Sequence, residues 1–394
     1  MSLRRSSWVV FLVLVLALVL GSGRAHAIEL GRPGEPLTVH AHGFVSQGFI
    51  LTTKNQYLAK SRKGSFEFTE VGLNFTVPLT DKLRTGVQLF SRDLGPIGNY
   101  NLKADWFYLD YRFEDWLGFR AGRVKIPFGL YNEVNDIDAA RVPILLPQSI
   151  YSLASRDFLF AQTGAELYGR IDLKKAGALE YRHYAGTIFL SLDEQSSISV
   201  RVAGIEVPFV AGQRLLWETP IEGLRVAGSM QALKIDGHFV YLNQPVSLTI
   251  PAFLWAASAE YAIRDALLSA EYSRQHAGIS ISDTNVIPLP QEAQEVVSER
   301  AYVMGSYRFG KVFQPGAYYS IAYPDMRRRN GPSASQHDVA LTLRFDLNEW
   351  WLLKLEGHFM SGTAGLSSAL NDNTPLDSLQ RRWGIFLAKT TVHF

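Results

Sequence analysis

Hydrophobic and polar residues alternate with a period of two along most of this chain. Near the C-terminal end, Val339, Leu341 and Leu343 alternate with Thr342 and Arg344. Because successive side chains of a β-strand point to opposite faces, each such segment predicts a strand with one apolar and one polar face. No apolar run after residue 27 reaches the about 20 residues that a membrane-spanning helix needs. The pattern therefore predicts an all-β protein.

The alternating segments number sixteen, and the connections between them alternate between short and long. The predicted strands are 40–52, 66–77, 83–92, 102–113, 117–126, 161–172, 178–190, 207–218, 224–235, 250–262, 267–276, 299–309, 313–323, 338–347, 350–360 and 382–394. A transmembrane antiparallel β-barrel has this alternation, because its periplasmic turns are short and its outer loops are long. A soluble β-sandwich gives the same apolar faces but has no reason for the alternation of the loops. Pro208 and Pro251 interrupt two segments, so counts of about 14 or 18 strands also fit.

The N-terminal segment predicts export from the cytoplasm. Arg4 and Arg5 precede an apolar run over residues 8–20, and Ala25-His26-Ala27 follows as an A-x-A cleavage pattern. These features are typical of a secretory signal peptide. Residues 1–27 are therefore predicted to be removed, and residues 28–394 to form a single transmembrane barrel. A retained membrane anchor is the alternative interpretation.

The composition supports this interpretation and excludes several kinds of site. Only 19% of the residues are charged, against about 25% in an average soluble domain. The absence of cysteine excludes a disulfide scaffold, a thiolate metal site and a cysteine nucleophile. Residues 1–27 carry three of the 39 basic residues and none of the 37 acidic ones, so the mature chain would have a net charge of −1. Nucleic acid is therefore not a predicted partner.

The connection between the fifth and sixth predicted strands, residues 127–160, is long and apolar. Loops of this length inside compact proteins are usually functional. This one contains four acidic residues, two arginines and no lysine, which gives a net charge of −2. Its candidate site residues are Glu133, Asp136, Asp138 and Arg141. The candidate pore wall consists of arginines on the polar strand faces: Arg84, Arg92, Arg120, Arg170 and Arg182.

Two interpretations of these charges are open. An acidic loop opposite a wall of arginines would set a field across the pore, and such charges select ions or filter polar solutes. Alternatively, each arginine pairs with a neighbouring acid on the barrel wall and selects nothing. Acidic residues such as Glu70, Asp110 and Glu166 share the polar strand faces, so the second arrangement is also available.

A short run at the start of this loop carries a resemblance to a known family. Residues 122–129 read Gly-Arg-Val-Lys-Ile-Pro-Phe-Gly, which is similar to the run that opens the third outer loop in the phosphate-selective porin O and P superfamily. The first strand, residues 43–48, and the terminal Phe394 also fit. The resemblance implies a trimeric, 16-stranded outer-membrane porin whose third outer loop folds into the barrel and narrows the pore. It thereby makes the candidate pore constriction the set Glu133, Asp136, Asp138 and Arg141. Phosphate-selective members are expected to present lysines there, and residues 127–160 contain none.

The last predicted strand ends at Phe394, and Val392, Thr390 and Phe386 share its face. A terminal aromatic residue on an amphipathic final strand resembles the signal that the bacterial barrel-assembly machinery reads. Phe394 is therefore a candidate assembly signal. The predicted partners are this machinery, the lipid bilayer and lipopolysaccharide.

These observations predict a porin, a water-filled channel in the bacterial outer membrane for passive diffusion of ions and small hydrophilic solutes. No cofactor is expected, and no metal site, because His40 and His42 share a strand face without a visible third ligand. The G-x-S-x-G, P-loop and H-E-x-x-H motifs are absent, so no enzyme is predicted. The alternatives are a barrel enzyme acting on lipid or peptide, and a non-conducting structural or adhesive barrel.

Overall fold

A computed structural model describes residues 28–30, 38–153, 156–189, 200–241, 244–282 and 294–394. Sixteen antiparallel strands form a sheet that closes on itself, because the last strand pairs with the first long one through Val392 and Val45. A further short strand at residues 28–30 pairs with the start of that long strand, beyond the point where the last strand ends. The predicted signal peptide, residues 1–27, lies outside the described residues.

The strands are β1 (Ile28–Leu30), β2 (Val39–Thr52), β3 (Thr69–Pro78), β4 (Leu83–Asp93), β5 (Lys103–Glu114), β6 (Leu117–Lys125), β7 (Ala161–Asp172), β8 (Ala178–Ile188), β9 (Val200–Glu218), β10 (Leu224–Tyr241), β11 (Gln244–Ile263), β12 (Ala266–Ser282), β13 (Gln294–Tyr307), β14 (Phe313–Tyr323), β15 (Gln336–Asp346), β16 (Trp351–Gly362) and β17 (Arg382–His393). One α-helical turn, α1, spans Arg156–Leu159, and short 3₁₀ turns lie at Ser61–Lys63, Asn132–Val134, Asp138–Ala140, Lys174–Ala176, Pro332–Ala334, Ala369–Asn371 and Leu376–Ser378. Within the described part of the chain, no helix is long and apolar enough to cross a membrane.

All sixteen predicted strands are confirmed, including the two that contain proline. Pro208 lies in β9 where the pairing register shifts against both neighbouring strands, so no ladder hydrogen bond requires its missing N–H. Pro251 lies in β11 inside a gap in the pairing with β12, between Thr249 and Ala252. Each proline therefore occupies a position where the sheet does not need a donor.

The long connection predicted at residues 236–249 is wrong. Strand β10 continues to Tyr241 and β11 starts at Gln244, so the two strands form a hairpin of 18 and 20 residues. About 9–11 residues are enough for a strand to cross a bilayer. The extension contains Asp236, Gly237 and Pro245, residue types that are typical of loops, and the alternation alone does not show that pairing continues through them.

The two faces of the barrel separate as the alternation predicts. Outward-facing Leu341 and Phe359 are 54% and 70% exposed, whereas inward-facing Ala340 and Lys354 are fully buried. Charged residues therefore line the interior, and apolar residues form the outer surface. The two ends also differ. Short turns connect the strands at one end, called the turn end below. At the other, called the loop end, the connections are longer except between β10 and β11.

The connection between β6 and β7, residues 126–160, folds into the barrel, and the predicted inward-folded third loop is confirmed. This segment, the lumen loop, buries Ile144, Leu145 and Leu146 to 1–2% exposure. One apolar cluster packs it against β8–β11 and β13, around Tyr151. A second packs it against β2, β16 and β17. The loop therefore bridges opposite walls of the barrel.

Candidate functional site in the barrel lumen

A glycine allows the lumen loop to enter the barrel. Gly129 has φ +62°, in the left-handed region that favours glycine. A Cβ atom here would come within 2.6 Å of the Glu271 carboxylate and within 2.5 Å of the Tyr151 hydroxyl. The Gly129 backbone N–H donates to Ser229 Oγ at 3.0 Å. The Pro-Phe-Gly run thus has a physical reason, because only glycine fits this close approach to the wall.

Glu271 on β12 anchors the start of the lumen loop. Its carboxylate accepts hydrogen bonds from Ser258 Oγ and Tyr302 OH, both at 2.5 Å, and from the Leu130 backbone N–H at 3.1 Å. Tyr151 of the loop donates to the same carboxylate. A buried carboxylate with four donors is well satisfied, and two of these donors belong to the loop.

Glu356 on β16 anchors the middle of the loop from the opposite side. Its carboxylate accepts from the backbone N–H groups of Ile144 and Leu145 at 2.7 and 2.9 Å. Thr342 Oγ1 donates to it at 2.5 Å, and the Nε2 atom of His358 lies 3.0 Å away. Glu356 therefore holds two consecutive backbone donors of the loop.

Cationic residues of the same wall bind the carbonyl groups of the loop. Lys354 Nζ donates to the carbonyl oxygens of Asp138 and Arg141, both at 2.8 Å. Arg344 donates to the carbonyls of Ala139 and Arg141, at 2.9 and 3.0 Å. Anions and cations of β15 and β16 thus fix both kinds of backbone group in the loop.

Glu133, the first predicted constriction residue, pairs with the opposite wall. It contacts Arg182 at 2.5 Å and Arg214 at 3.2 Å. Burial favours the neutral acid, but Arg182 and Arg214 outweigh it and lower the pKa of Glu133 to about 2. The carboxylate is therefore ionised and compensated at neutral pH.

Asp136 and Asp138 are also closed into ion pairs. Asp136 contacts Arg156 at 2.5 Å, and Arg156 lies 3.7 Å from the ring centre of Phe160. Asp138 contacts Arg141 at 2.9 Å and Lys389 at 2.7 Å. Although burial opposes ionisation, these cations lower the pKa values of both aspartates. All four predicted constriction residues thus lie inside the barrel, and each is paired.

The predicted wall arginines lie on β4, β6, β7 and β8. Four of them form ion pairs with acids of other strands: Arg84 with Asp110 at 2.7 Å, Arg120 with Asp110 and Glu166 at 3.1 Å, Arg182 with Glu166 at 2.6 Å, and Arg170 with Glu218 at 2.5 Å. Arg92 is buried in the interior. Glu133 joins this network through Arg182. A continuous chain of alternating charge therefore runs through Arg84, Asp110, Arg120, Glu166, Arg182 and Glu133. The Arg170–Glu218 pair is separate from this chain.

A cavity of about 230 Å³ lies on each side of the lumen loop. The cavity at the turn end is lined by loop residues 139–143 and by Tyr318, Thr342 and Arg344. The cavity at the loop end is lined by Gln148, Ser149, Arg300 and Ser320, among others. Both cavities lie against strands β13–β15. Among the described residues, no group of three or more His, Asp or Glu side chains is arranged to hold a metal ion.

No protein-family model and no curated protein matches this chain. Solved bacterial outer-membrane proteins do match it in structure. OmpT of Vibrio cholerae superposes with a TM-score of 0.60 at 12% identity, covering 93% of this chain and 100% of its own. An anion-selective porin from Comamonas acidovorans superposes with a TM-score of 0.54 at 11% identity, covering 91% of this chain and 100% of its own. The outer-membrane channel DcaP of Acinetobacter baumannii superposes with a TM-score of 0.56 at 11% identity, covering 94% of this chain and 100% of its own. This chain has the fold of an outer-membrane porin.

In this porin-like barrel, the outward apolar band identified above is the surface that faces lipid. Identities of 11–12% show the fold alone, so membership of the phosphate-selective O and P superfamily stays a prediction. Sequence reasoning missed the roles of Lys354, Lys389 and the anchor Glu356. All three occupy strand positions that alternate with apolar residues of the outer face. The sequence therefore indicated that their side chains point into the barrel and are buried. The contact of each with the loop has no such signal.

Proposed function

We propose that this chain is an outer-membrane porin through which ions and small hydrophilic solutes diffuse passively. The main support is that the lumen loop leaves a cavity on each side of itself, and both cavities lie against the same wall. Tyr318 and Thr342 line one cavity, and Ser320 and Asp338 of the same two strands line the other. We infer that solutes move along this wall, past Tyr318.

The loop charges have a structural role in this proposal. Glu133, Asp136, Asp138 and Arg141 hold the loop in place and so set the width of the constriction. Because each charge has a partner of opposite sign within 3.2 Å, its field falls off quickly with distance. Of the two interpretations of the charges, the geometry thus favours local pairing over a field across the pore.

The outer membrane is the compartment that fits this fold, with the lipid bilayer and lipopolysaccharide in contact with the outer band. Phe394 closes the barrel seam, since its N–H and C=O exchange hydrogen bonds with Gly43 at 3.0 and 3.2 Å. This placement agrees with a role in assembly by the barrel-assembly machinery. We also propose a homotrimer, in line with the trimer form of the OmpT structure.

A non-conducting barrel is the second candidate function, and one observation favours it. The centre of the loop is packed between opposite walls, and Ile144, Leu145 and Leu146 are almost fully buried. Neither of these two proposed functions is enzymatic.

Single-channel recording in a planar bilayer tests the proposal. The folded protein should give stepwise conductance, and Tyr318→Ala should raise it because the inferred path widens. Tyr319→Ala is the matched control, since Tyr319 follows in sequence but faces outward and is 41% exposed. The absence of steps from folded, heat-modifiable barrels would favour the non-conducting alternative. Equal effects of both variants would place the path elsewhere.

A further inference from the structure

The cavity at the loop end contains one cation without an acidic partner. Arg300 points inward from β13 and donates to Gln275 Oε1 at 2.9 Å. Among the described residues, it forms no ion pair, in contrast to Arg182 and Arg156. A guanidinium has five N–H groups, so donors remain available toward the cavity that Arg300 lines.

A second donor in the same cavity also lacks a partner. The side-chain nitrogen of Gln336 is buried and has no hydrogen-bond acceptor among the described residues, while its oxygen accepts from the Gly365 N–H at 3.2 Å. A buried donor without an acceptor is costly and rare in folded proteins. A ligand with acceptor oxygens would satisfy Gln336 and Arg300 together.

The remaining lining defines the chemistry of such a ligand. Of the cavity's lining residues, only Arg300 and Asp338 are charged. Asp338 accepts from Tyr318 OH at 3.0 Å and lies 2.9 Å from His358 Nδ1, so it is engaged by these groups and forms no ion pair with Arg300. The site thus has one available positive charge. Ile150, Leu159, Pro324 and Met360 give the rest of the cavity an apolar surface.

We propose that this cavity binds small organic monocarboxylates, with the carboxylate on Arg300 and Gln336 and the carbon body on the apolar side. A planar guanidinium fork matches a carboxylate in shape and in hydrogen-bond geometry. Inorganic phosphate, which carries more charge and no apolar body, fits this lining less well. The inference rests on the proposed function, because it gives the pathway a solute preference at its entrance from the loop end.

Calorimetric titration of the detergent-folded barrel tests the site without conduction. Benzoate should bind, benzamide and inorganic phosphate should bind at least several-fold more weakly, and Arg300→Gln should weaken benzoate binding about tenfold or more. Gln336→Leu should weaken it several-fold while keeping the charge. Arg274→Gln is the matched control, since Arg274 is on the neighbouring strand β12 and pairs with Glu299 instead of lining the cavity.

Each outcome either supports the carboxylate site or overturns it. Loss of binding in Arg300→Gln and Gln336→Leu, but not in Arg274→Gln, supports the site. Tighter binding of phosphate than of benzoate, an equal loss in Arg274→Gln, or no benzoate binding at all overturns it. Conductance is recorded separately on the same samples. A conducting channel without benzoate binding would leave the porin function intact, and binding without conductance would leave the site intact.

Discussion

The two sides of the lumen use charge differently. On the β4–β9 side, arginines and acids alternate in an unbroken network from Arg84 through Glu166 to Arg214. On the β13–β16 side, two cavities lie against the wall, and Arg300 has no acid partner among the described residues. Closely paired charges hold parts of the structure together, whereas an unpaired charge beside a cavity remains available to a solute. The same residue type therefore stabilises one wall and can recognise a solute at the other.

The largest loss of stability should come from replacing Lys389, a buried lysine of β17 that pairs with both β3 and the lumen loop. Lys389 contacts Glu70 at 2.5 Å and Asp138 at 2.7 Å, and its side chain is almost fully buried. Lys389→Met should lower the free energy of unfolding by about 3–5 kcal/mol, because it leaves two buried carboxylates undercompensated. Urea unfolding of the detergent-folded barrel measures this change. Lys174→Met in an exposed turn is the control, and an equal loss there would contradict the expectation.

Acid should weaken the attachment of the loop to the arginine wall. The folded-state pKa of Glu133 is about 2, below the ordinary value of 4.5. Its stabilising contribution is therefore present above about pH 4.5 and is lost as the pH falls through about 2. This amounts to about 3 kcal/mol. Unfolding free energies measured across this range should fall less steeply for Glu133→Gln than for the wild type, and parallel curves would show that Glu133 does not contribute.

Release of the loop from the β16 wall should widen the path with a moderate loss of stability. Glu356→Gln keeps the shape of the side chain but removes the charge that binds the Ile144 and Leu145 N–H groups. We expect a loss of about 1–3 kcal/mol and a higher single-channel conductance. Glu349→Gln, in an exposed turn, should change neither. Unchanged conductance in a folded Glu356→Gln barrel would mean that the loop stays in place without this anchor.

The smallest effect should come from a solvent-exposed ion pair on the same wall. The Arg170 side chain is 47% exposed and pairs with Glu218. Arg170→Gln should cost less than about 1 kcal/mol, because water and salt screen exposed pairs. Arg120→Gln, which leaves the buried Asp110 and Glu166 without this partner, should cost more. Equal costs in urea unfolding would remove the distinction between the buried and exposed parts of this wall.

The periodicity of the sequence predicted the strands and their faces, because alternation is a local property of neighbouring residues. It identified Leu343 as outward and Arg344 as inward, as observed. The resemblance of residues 122–129 implied that the loop after them folds into the barrel, as observed. The pairing of Asp138 with Lys389 could not be predicted in this way, since it depends on the height of each residue in the closed barrel and on how the loop turns inside it. The extension of β10 and β11 was not predicted because its charged, glycine and proline residues are typical of loops.

The contacts of Asp138 also link the lumen loop to the seam of the barrel. Its partner Lys389 belongs to β17, and Lys389 contacts Glu70 on β3, so both sides of the seam between β17 and β2 must be in place before this cluster is complete. The Asp138 contacts of the lumen loop therefore depend on β17. A barrel whose seam is open lacks the geometry for these ion pairs, so closure of the wall and completion of the Asp138 cluster go together.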